Sequence, residues 1–216
     1  MTIYFVRHGE SVNNLAKKYQ GPEVLLSENG ETQAKFVGDR FQNIQIDRLL
    51  SSTYIRTQQT AQAISEVTGK EIELLDTLIE RKRPSSFSNR PYDDPELEKI
   101  RELIDSHPDP DHHHSDEENF FDVKKRAEAV IKFLESCPEQ SIAVVSHGIF
   151  IQTILMSMLL QESFTLENFL SSNHVLETTN TGISVCEYKE NGKWRIKTIN
   201  DIAHLAERET VPQIAE

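Results

Sequence analysis

The chain is predicted to fold as an α/β protein, a three-layer α/β/α sandwich around a mostly parallel sheet. Two observations carry this expectation. Short apolar runs at Ile3–Val6, Arg48–Ser52, Glu71–Leu75 and Ser141–Ser146 are separated by segments with apolar residues every three to four positions, and such alternation builds parallel sheets covered on both faces. The last two strand-like runs, Ile183–Tyr188 and Trp194–Ile199, flank Asn191-Gly192, a hairpin signal that closes one sheet edge. At 216 residues the whole chain, 1–216, is expected to be a single domain with one inserted lobe near residues 81–120.

The elements follow in order. Ile3–Val6 is a buried strand that empties into the polar turn Arg7-His8-Gly9. Leu15–Gln20 reads as a short helical piece broken by Gly21-Pro22. Ser27 caps a helix carrying Ala34, Val37 and Phe41, with Glu28 and Glu31 in its first turn to complement the dipole. After the Arg48–Ser52 strand, Ser52 or Thr53 caps a second helix with Thr60, Ile64 and Val67 inward, and Gly69 stops it. Asp76–Glu80 leads away from the third strand. Prolines 84, 91, 95, 108 and 110 punctuate residues 81–120, where Glu96–Ser106 is an amphipathic helix bearing Leu97, Ile100, Leu103 and Ile104. This lobe is read as a lid over the sheet's carboxyl edge. Ser115–Glu118 opens the next helix, which runs to Ser136. Ile149–Leu160, nearly all apolar, is a buried helix, and the tail after Glu207 has no core-forming pattern.

Composition narrows the function. Twenty-three basic residues against 35 acidic ones give a formal charge of −12, which argues against nucleic acid or an anionic membrane as partner. Any anion must then be held by a local basic pocket. Two cysteines, Cys137 and Cys186, make neither a disulfide framework nor a thiolate metal site. No leader or spanning segment is read, so the location expected is the cytoplasm.

The chemistry concentrates at strand ends. His8 and His147 both precede a glycine just past an apolar strand; Arg7 adjoins the first, Arg56 opens a helix after the second strand, and Glu80 follows the third. Ligands of open α/β sheets bind outside the carboxyl ends of the strands. Arginine forks suit phosphoryl oxygens, a neutral imidazole can attack phosphorus, and a carboxylic acid can protonate the leaving alkoxide. Neither a GxxxxGK[ST] loop nor metal-ligand spacing occurs among these residues, so metal-free histidine chemistry is favoured, with no cofactor.

Arg7-His8-Gly9-Glu10-Ser11 with Asn14 resembles the RHGE[ST]xxN signature of the histidine phosphatase superfamily, whose fold is called phosphoglycerate mutase-like. Further stretches in the same order support the likeness: Gln20-Gly21, Leu26-Ser27, Ser51-Ser52 through Arg56 to Gln59-Thr60-Ala61, Glu80, Val145-Ser146-His147-Gly148 and Asn180-Thr181-Gly182. The resemblance implies a small bacterial-type phosphatase in which His8 is the phosphorylated nucleophile, Arg7, Arg56 and His147 form the phosphate pocket, and Glu80 is the proton donor. It further implies that Asn14 donates to a phosphate oxygen and Ser11 shapes the pocket, with Gln20 and Gly21 among the binding residues.

The chain departs from the pattern at Arg81-Lys82-Arg83. These three cations beside the acid are either a second anion-binding patch, making Arg81 a binding residue, or a solvated basic loop. His112-His113-His114 is read as a solvated loop of imidazoles, with no resident metal. The expected activity is metal-independent hydrolysis of small phosphomonoesters, the partner being a small phosphorylated metabolite or phosphate ion. A phosphoglycerate mutase is the rival within the fold, disfavoured by the modest lobe, and a non-catalytic phospho-ligand module is the rival outside it. Homodimerisation is left open.

Overall fold

The computed structural model describes residues 1–206; the tail expectation beyond Glu207 falls outside the described residues. Six strands form one sheet, β1 (Thr2–Arg7), β2 (Arg48–Ser51), β3 (Ile72–Leu74), β4 (Ser141–Ser146), β5 (Ile183–Tyr188) and β6 (Trp194–Asp201), in the order β3-β2-β4-β1-β5-β6. The pairings β3/β2, β2/β4 and β4/β1 are parallel, while β5 runs antiparallel to both β1 and β6. The three-layer, mostly parallel sandwich expected from the sequence is therefore what forms.

Alternation along the central strands explains the layers. On one face Phe5, Leu50, Ile142 and Val144 pack under helices α5 (Phe120–Glu135), α6 (Gly148–Leu160) and α7 (Leu166–Val175). On the other, Val6, Leu49, Ala143, Val145 and Ile183 pack under α2 (Glu28–Phe41) and α3 (Ile55–Thr68). All nine of these strand side chains are no more than 2% exposed.

Several local expectations need correction. The first helix, α1, is Val12–Leu15 rather than Leu15–Gln20; Ser11 and Asn14 form a reciprocal capping box that starts it, and Lys17 at φ 53 prevents continuation. Helix α3 has Tyr54 at its N-cap without a side-chain cap, because Thr53 donates to Asp76 and the Ser52 hydroxyl faces His147. Val67, on the last turn of α3, is 37% exposed, so the inward stripe ends at Ile64. Helix α4 (Pro95–Ser106) buries Leu97 and Ile104 but leaves Leu103 exposed, since adjacent residues point about 100° apart. Ser115–Glu118 does not open α5: Asn119 does, accepting from the amides of Phe121 and Asp122, while buried Glu117 accepts from the amides of His114 and Ser115. Helix α7, absent from the sequence reading, is capped by Thr165 and Asn168.

The 81–120 segment is the inserted lobe, carrying α4 and a 3₁₀ turn at Ser85–Phe87. It is tied to the chain's beginning rather than to the sheet. Tyr19 packs edge-on against Phe87 and Tyr92, Lys18 bridges to Pro91, and Asn13 donates to Asn89. A short α8 (Ala203–Ala206) ends the described chain. Among the described residues no helix is long and apolar enough to cross a membrane.

Candidate active site

Strand register creates the site. In the parallel β1/β4 pair Arg7 stands opposite Ser146, so the next residues, His8 and His147, leave adjacent strand tips together; their ring centroids are 5.1 Å apart. Both imidazoles are essentially buried, 1% and 0% exposed. The β4/β2 pairing puts Ser51 beside Val145, which brings Ser52 and the first turn of α3 to the same edge.

Hydrogen bonding fixes both tautomers, because a carbonyl only accepts and a guanidinium only donates. His8 Nδ1 donates to the Gly9 carbonyl at 2.7 Å, leaving its Nε2 lone pair to accept from Arg56 Nε at 3.2 Å. His147 Nδ1 accepts from Arg56 Nη2 at 3.1 Å, so its Nε2 donates to Ser52 Oγ at 2.9 Å. Burial, then the charges of Arg56 and Arg7, hold His8 well below its usual 6.5. The same order of causes, with His8 added, does so for His147. Two neutral imidazoles result.

Arg56 is fully buried at the centre. Its third anchor is the Gly21 carbonyl, 2.8 Å from Nη1, and its plane lies over Tyr54, 4.9 Å from the ring centre. Burial pushes it down to about 10, still charged at neutral pH, with Glu80 the main opposing pull. Arg7 donates through Nη1 to the Thr178 carbonyl, whereas its buried Nε has no partner. An unpaired guanidinium N–H is costly to bury without an acceptor. This orphan donor, close to Gly148, is the strongest local sign that an anion belongs here.

Glu80, two residues past the 3₁₀ turn Asp76–Leu78, reaches the first turn of α6 with its carboxyl group. Its Oε1 accepts from the amides of Phe150 at 3.0 Å and Arg81 at 2.9 Å, and Oε2 from Ile149 at 3.3 Å.

A cavity of about 590 Å³ opens above this cluster, lined by Arg7, Asn14, Gln20, Gly21, Glu80 and Arg81 among others. His8, Arg56 and His147 lie beneath it. Asn14 spends its carbonyl oxygen on the Ser11 amide and meets the Tyr92 hydroxyl. Ser11 is not in the lining: buried, it caps α1 and donates to Gln20 Oε1 at 2.7 Å. The structure thus assembles Arg7, His8, Arg56, Glu80 and His147, surrounds them with Asn14, Gln20, Gly21 and Arg81, and gives Ser11 a supporting position. Both ring nitrogens of His147 have protein partners, so it presents no free N–H to the cavity. Arg81 is 4% exposed and paired with Asp105 at 2.8 Å, which overturns the solvated-loop reading for that residue. Among the described residues no cluster suited to a metal occurs, and His113 pairs with Asp122 instead.

Sequence reasoning missed Tyr54, Tyr92 and Thr178, all lining residues. Tyr54 falls at a variable position inside the stretch ending at Arg56, and the other two lie in loops with no pattern to announce them. Asn180, part of a recognised stretch, is now explained: its side chain donates to the His8 carbonyl at 2.9 Å.

Known proteins resemble this chain over almost its whole length. Residues 3–202 match the model of the histidine phosphatase superfamily, branch 1. A probable phosphoglycerate mutase, GpmB, of Yersinia pestis is 29% identical over 216 residues, covering 95% of each chain, and its counterpart in an Enterobacter species is 28% identical with the same coverage. Among solved structures, a phosphoserine phosphatase mutant from Entamoeba histolytica in complex with phosphoserine superimposes with a TM-score of 0.74 at 23% identity, covering 94% of this chain and 98% of that one. A mycobacterial glucosyl-3-phosphoglycerate phosphatase gives 0.76 at 20%, covering 92% and 98%. Members act in phosphoryl transfer, as phosphatases or mutases. With its fold, its paired strand-end histidines and this match together, the chain belongs to the histidine phosphatase superfamily.

Proposed function

We propose that this protein is a metal-independent phosphatase of small phosphomonoesters working through a phosphohistidine on His8. The observation that carries the reading is the His8 ring: Nδ1–H is committed to the Gly9 carbonyl, which leaves the Nε2 lone pair on the side of two arginines. A bound phosphoryl group would take the unpaired Arg7 Nε–H and draw Arg56 Nε–H away from His8, freeing the lone pair as the substrate arrives. Nε2 then attacks phosphorus, the P–N bond forms as the P–O bond breaks, and protonated Glu80 gives its proton to the leaving alkoxide. Glu80 Oε2, with a single 3.3 Å bond, is the oxygen with room to carry that proton. In the second half, Glu80 takes a proton from water, the hydroxide attacks phosphorus, and P–N cleavage restores His8 and releases phosphate. The open cavity supports hydrolysis, because water occupies only about 30 Å³ and has space beside a small substrate.

The test is turnover of p-nitrophenyl phosphate in the presence of EDTA. Activity is expected to persist under chelation, and His8→Ala should lower it by at least about 10³-fold. No turnover would sink the enzyme reading. Dependence on added metal would sink the mechanism, and survival of more than about a tenth of the rate in His8→Ala, about 1.4 kcal/mol of barrier, would remove His8 as nucleophile. The mutase names of the relatives favour a second reading, phosphoglycerate mutase. Interconversion of 2- and 3-phosphoglycerate without phosphate release would establish it instead.

A further inference from the structure

Glu80 is the site residue that the sheet places least. Strand β3 ends at Leu74 and Glu80 comes six residues later, so no strand register fixes it as register fixes His8 and His147. Between strand and carboxylate only the 3₁₀ turn Asp76–Leu78 supplies backbone order. The rest of the support comes from outside the segment.

Arg126 of α5 provides it. Its Nη1 donates to the carbonyls of Thr77 at 3.0 Å and Ile79 at 2.8 Å, and its Nη2 to the carbonyl of Glu80 itself at 3.3 Å. The remaining carbonyl of this run, on Leu78, accepts from the buried Ser146 hydroxyl at 2.7 Å. Every carbonyl from 77 to 80 thus meets a side chain, which satisfies a stretch that no ladder reaches. Glu118 orients the guanidinium in turn. Its two carboxylate oxygens take Nε and Nη2 at 2.8 and 2.7 Å, and only 14% and 15% of the two side chains are exposed. All five guanidinium N–H groups are therefore used.

Two features tie this clamp to the carboxyl group and not merely to the lobe. The Arg126 guanidinium carbon lies 4.0 Å from the centre of the Phe150 ring, and the Phe150 amide is the one that donates to Glu80 Oε1. On the other side of Glu80, Glu118 Oε2 accepts from the Lys82 amide at 2.9 Å, and the Glu118 amide donates to the Lys82 carbonyl at 3.0 Å. The chain is gripped on both sides of Glu80, and the helix turn that binds its carboxylate packs on the same guanidinium. Neither Arg126 nor Glu118 lines the cavity, so both act through Glu80 and not on substrate.

We infer that Arg126, held by Glu118, is the positioning residue of the proton donor, its fork fixing the backbone of Thr77–Glu80 so that the Glu80 carboxyl meets the leaving oxygen. This role rests on the proposed part of Glu80 as the acid. Charge alone would not suffice, because lysine offers three N–H groups from one point and cannot grip a carboxylate and three carbonyls together.

Leaving-group dependence separates positioning from general damage. A nitro group stabilises the departing phenolate, so p-nitrophenyl phosphate needs its leaving oxygen protonated less than phenyl phosphate does. The parameter to compare is kcat/KM, which reports formation of the phosphohistidine, the step in which the acid acts. Glu80→Gln cannot give a proton and sets the scale: phenyl phosphate is expected to lose at least about tenfold more kcat/KM than p-nitrophenyl phosphate. Arg126→Met and Arg126→Lys should each show the same selectivity, by at least about fivefold, since small misplacements of a catalytic group cost on this scale. The lysine variant keeps a cation opposite Glu118 and is read even if Arg126→Met fails to fold, the thermal midpoint reporting folding in both. Losses equal within about twofold on the two esters in the arginine variants, with Glu80→Gln still selective, would overturn the clamp and leave the phosphatase reading standing. Equal losses in Glu80→Gln, or no turnover by the native protein, would overturn the acid reading and the clamp with it.

Discussion

His8 shows how much chemistry one side chain inherits from its neighbours. Its tautomer comes from a carbonyl one residue away, and its neutrality from burial and two cations. Because the ring is held well below 6.5, it is expected to be neutral at pH 6.5, where an ordinary imidazole is half protonated, which keeps a nucleophile available there. Proton NMR of the histidine C2–H resonances should show that the His8 and His147 rings fail to titrate near 6.5, and one of these signals should vanish in His8→Asn; a His8 midpoint at or above 6.5 would contradict this. Gly148 illustrates the opposite dependence, on empty space. A Cβ there would stand 3.0 Å from Thr178 Oγ1 and 3.4 Å from Arg7 Nε, crowding that unpaired donor. Gly148→Ala is predicted to cut kcat/KM by about 10- to 100-fold, since small misplacements of a positioning group cost on this scale, while the urea midpoint barely moves. Unchanged kinetics would mean that Arg7 Nε does not hold substrate.

Between residue and whole stands the packing of the His8 turn on α2. Gly9 and Gly30 meet there: a Cβ on Gly9 would be 2.5 Å from the Gly30 carbonyl oxygen, and one on Gly30 would collide with the Glu10 carbonyl. The contact is locked by Ser27, whose amide donates to the Glu10 carbonyl at 2.8 Å and whose hydroxyl donates to the Glu10 carboxylate at 2.6 Å. Thr60 of α3 takes the Gly9 amide at 3.0 Å from the other side. Helix propensity alone would make Gly30→Ala stabilising by about 1 kcal/mol. The collision is with backbone, which cannot swing aside, so a net loss of about 2–4 kcal/mol is expected in urea unfolding. A stabilised variant would show that α2 can pull back from the turn.

Over the whole molecule, the site is held between two cores, one on each face of a single sheet, and its two neutral imidazoles link activity to global stability. The unfolded chain takes up protons on both histidines as pH falls through 6.5, whereas the folded chain, with both held well below that value, does not. Stability is therefore retained above 6.5 and lost as pH falls below it, by up to about 1.4 kcal/mol per pH unit for each ring. Urea unfolding between pH 7 and 5 should show this slope, and it should be shallower in His8→Asn. Equal slopes in the two proteins would remove His8 from the acid sensitivity.

The sequence by itself determined the layers, the strand order of chemistry and the identity of the central side chains. Period-two and period-three-to-four patterns are local, and motif residues such as Arg7, His8, Arg56 and His147 announce themselves by type and address. Capping boxes such as Ser11/Asn14 and Asn119/Asp122 were less legible, because several nearby polar residues could serve and only packing selects one. Tertiary structure alone decided the rest. Strand register set His8 beside His147, Arg56 took three anchors from three separate segments, and Asp105, far along the chain, drew Arg81 out of solvent. Those outcomes depend on distances between segments remote in sequence, which folding fixes and residue order does not.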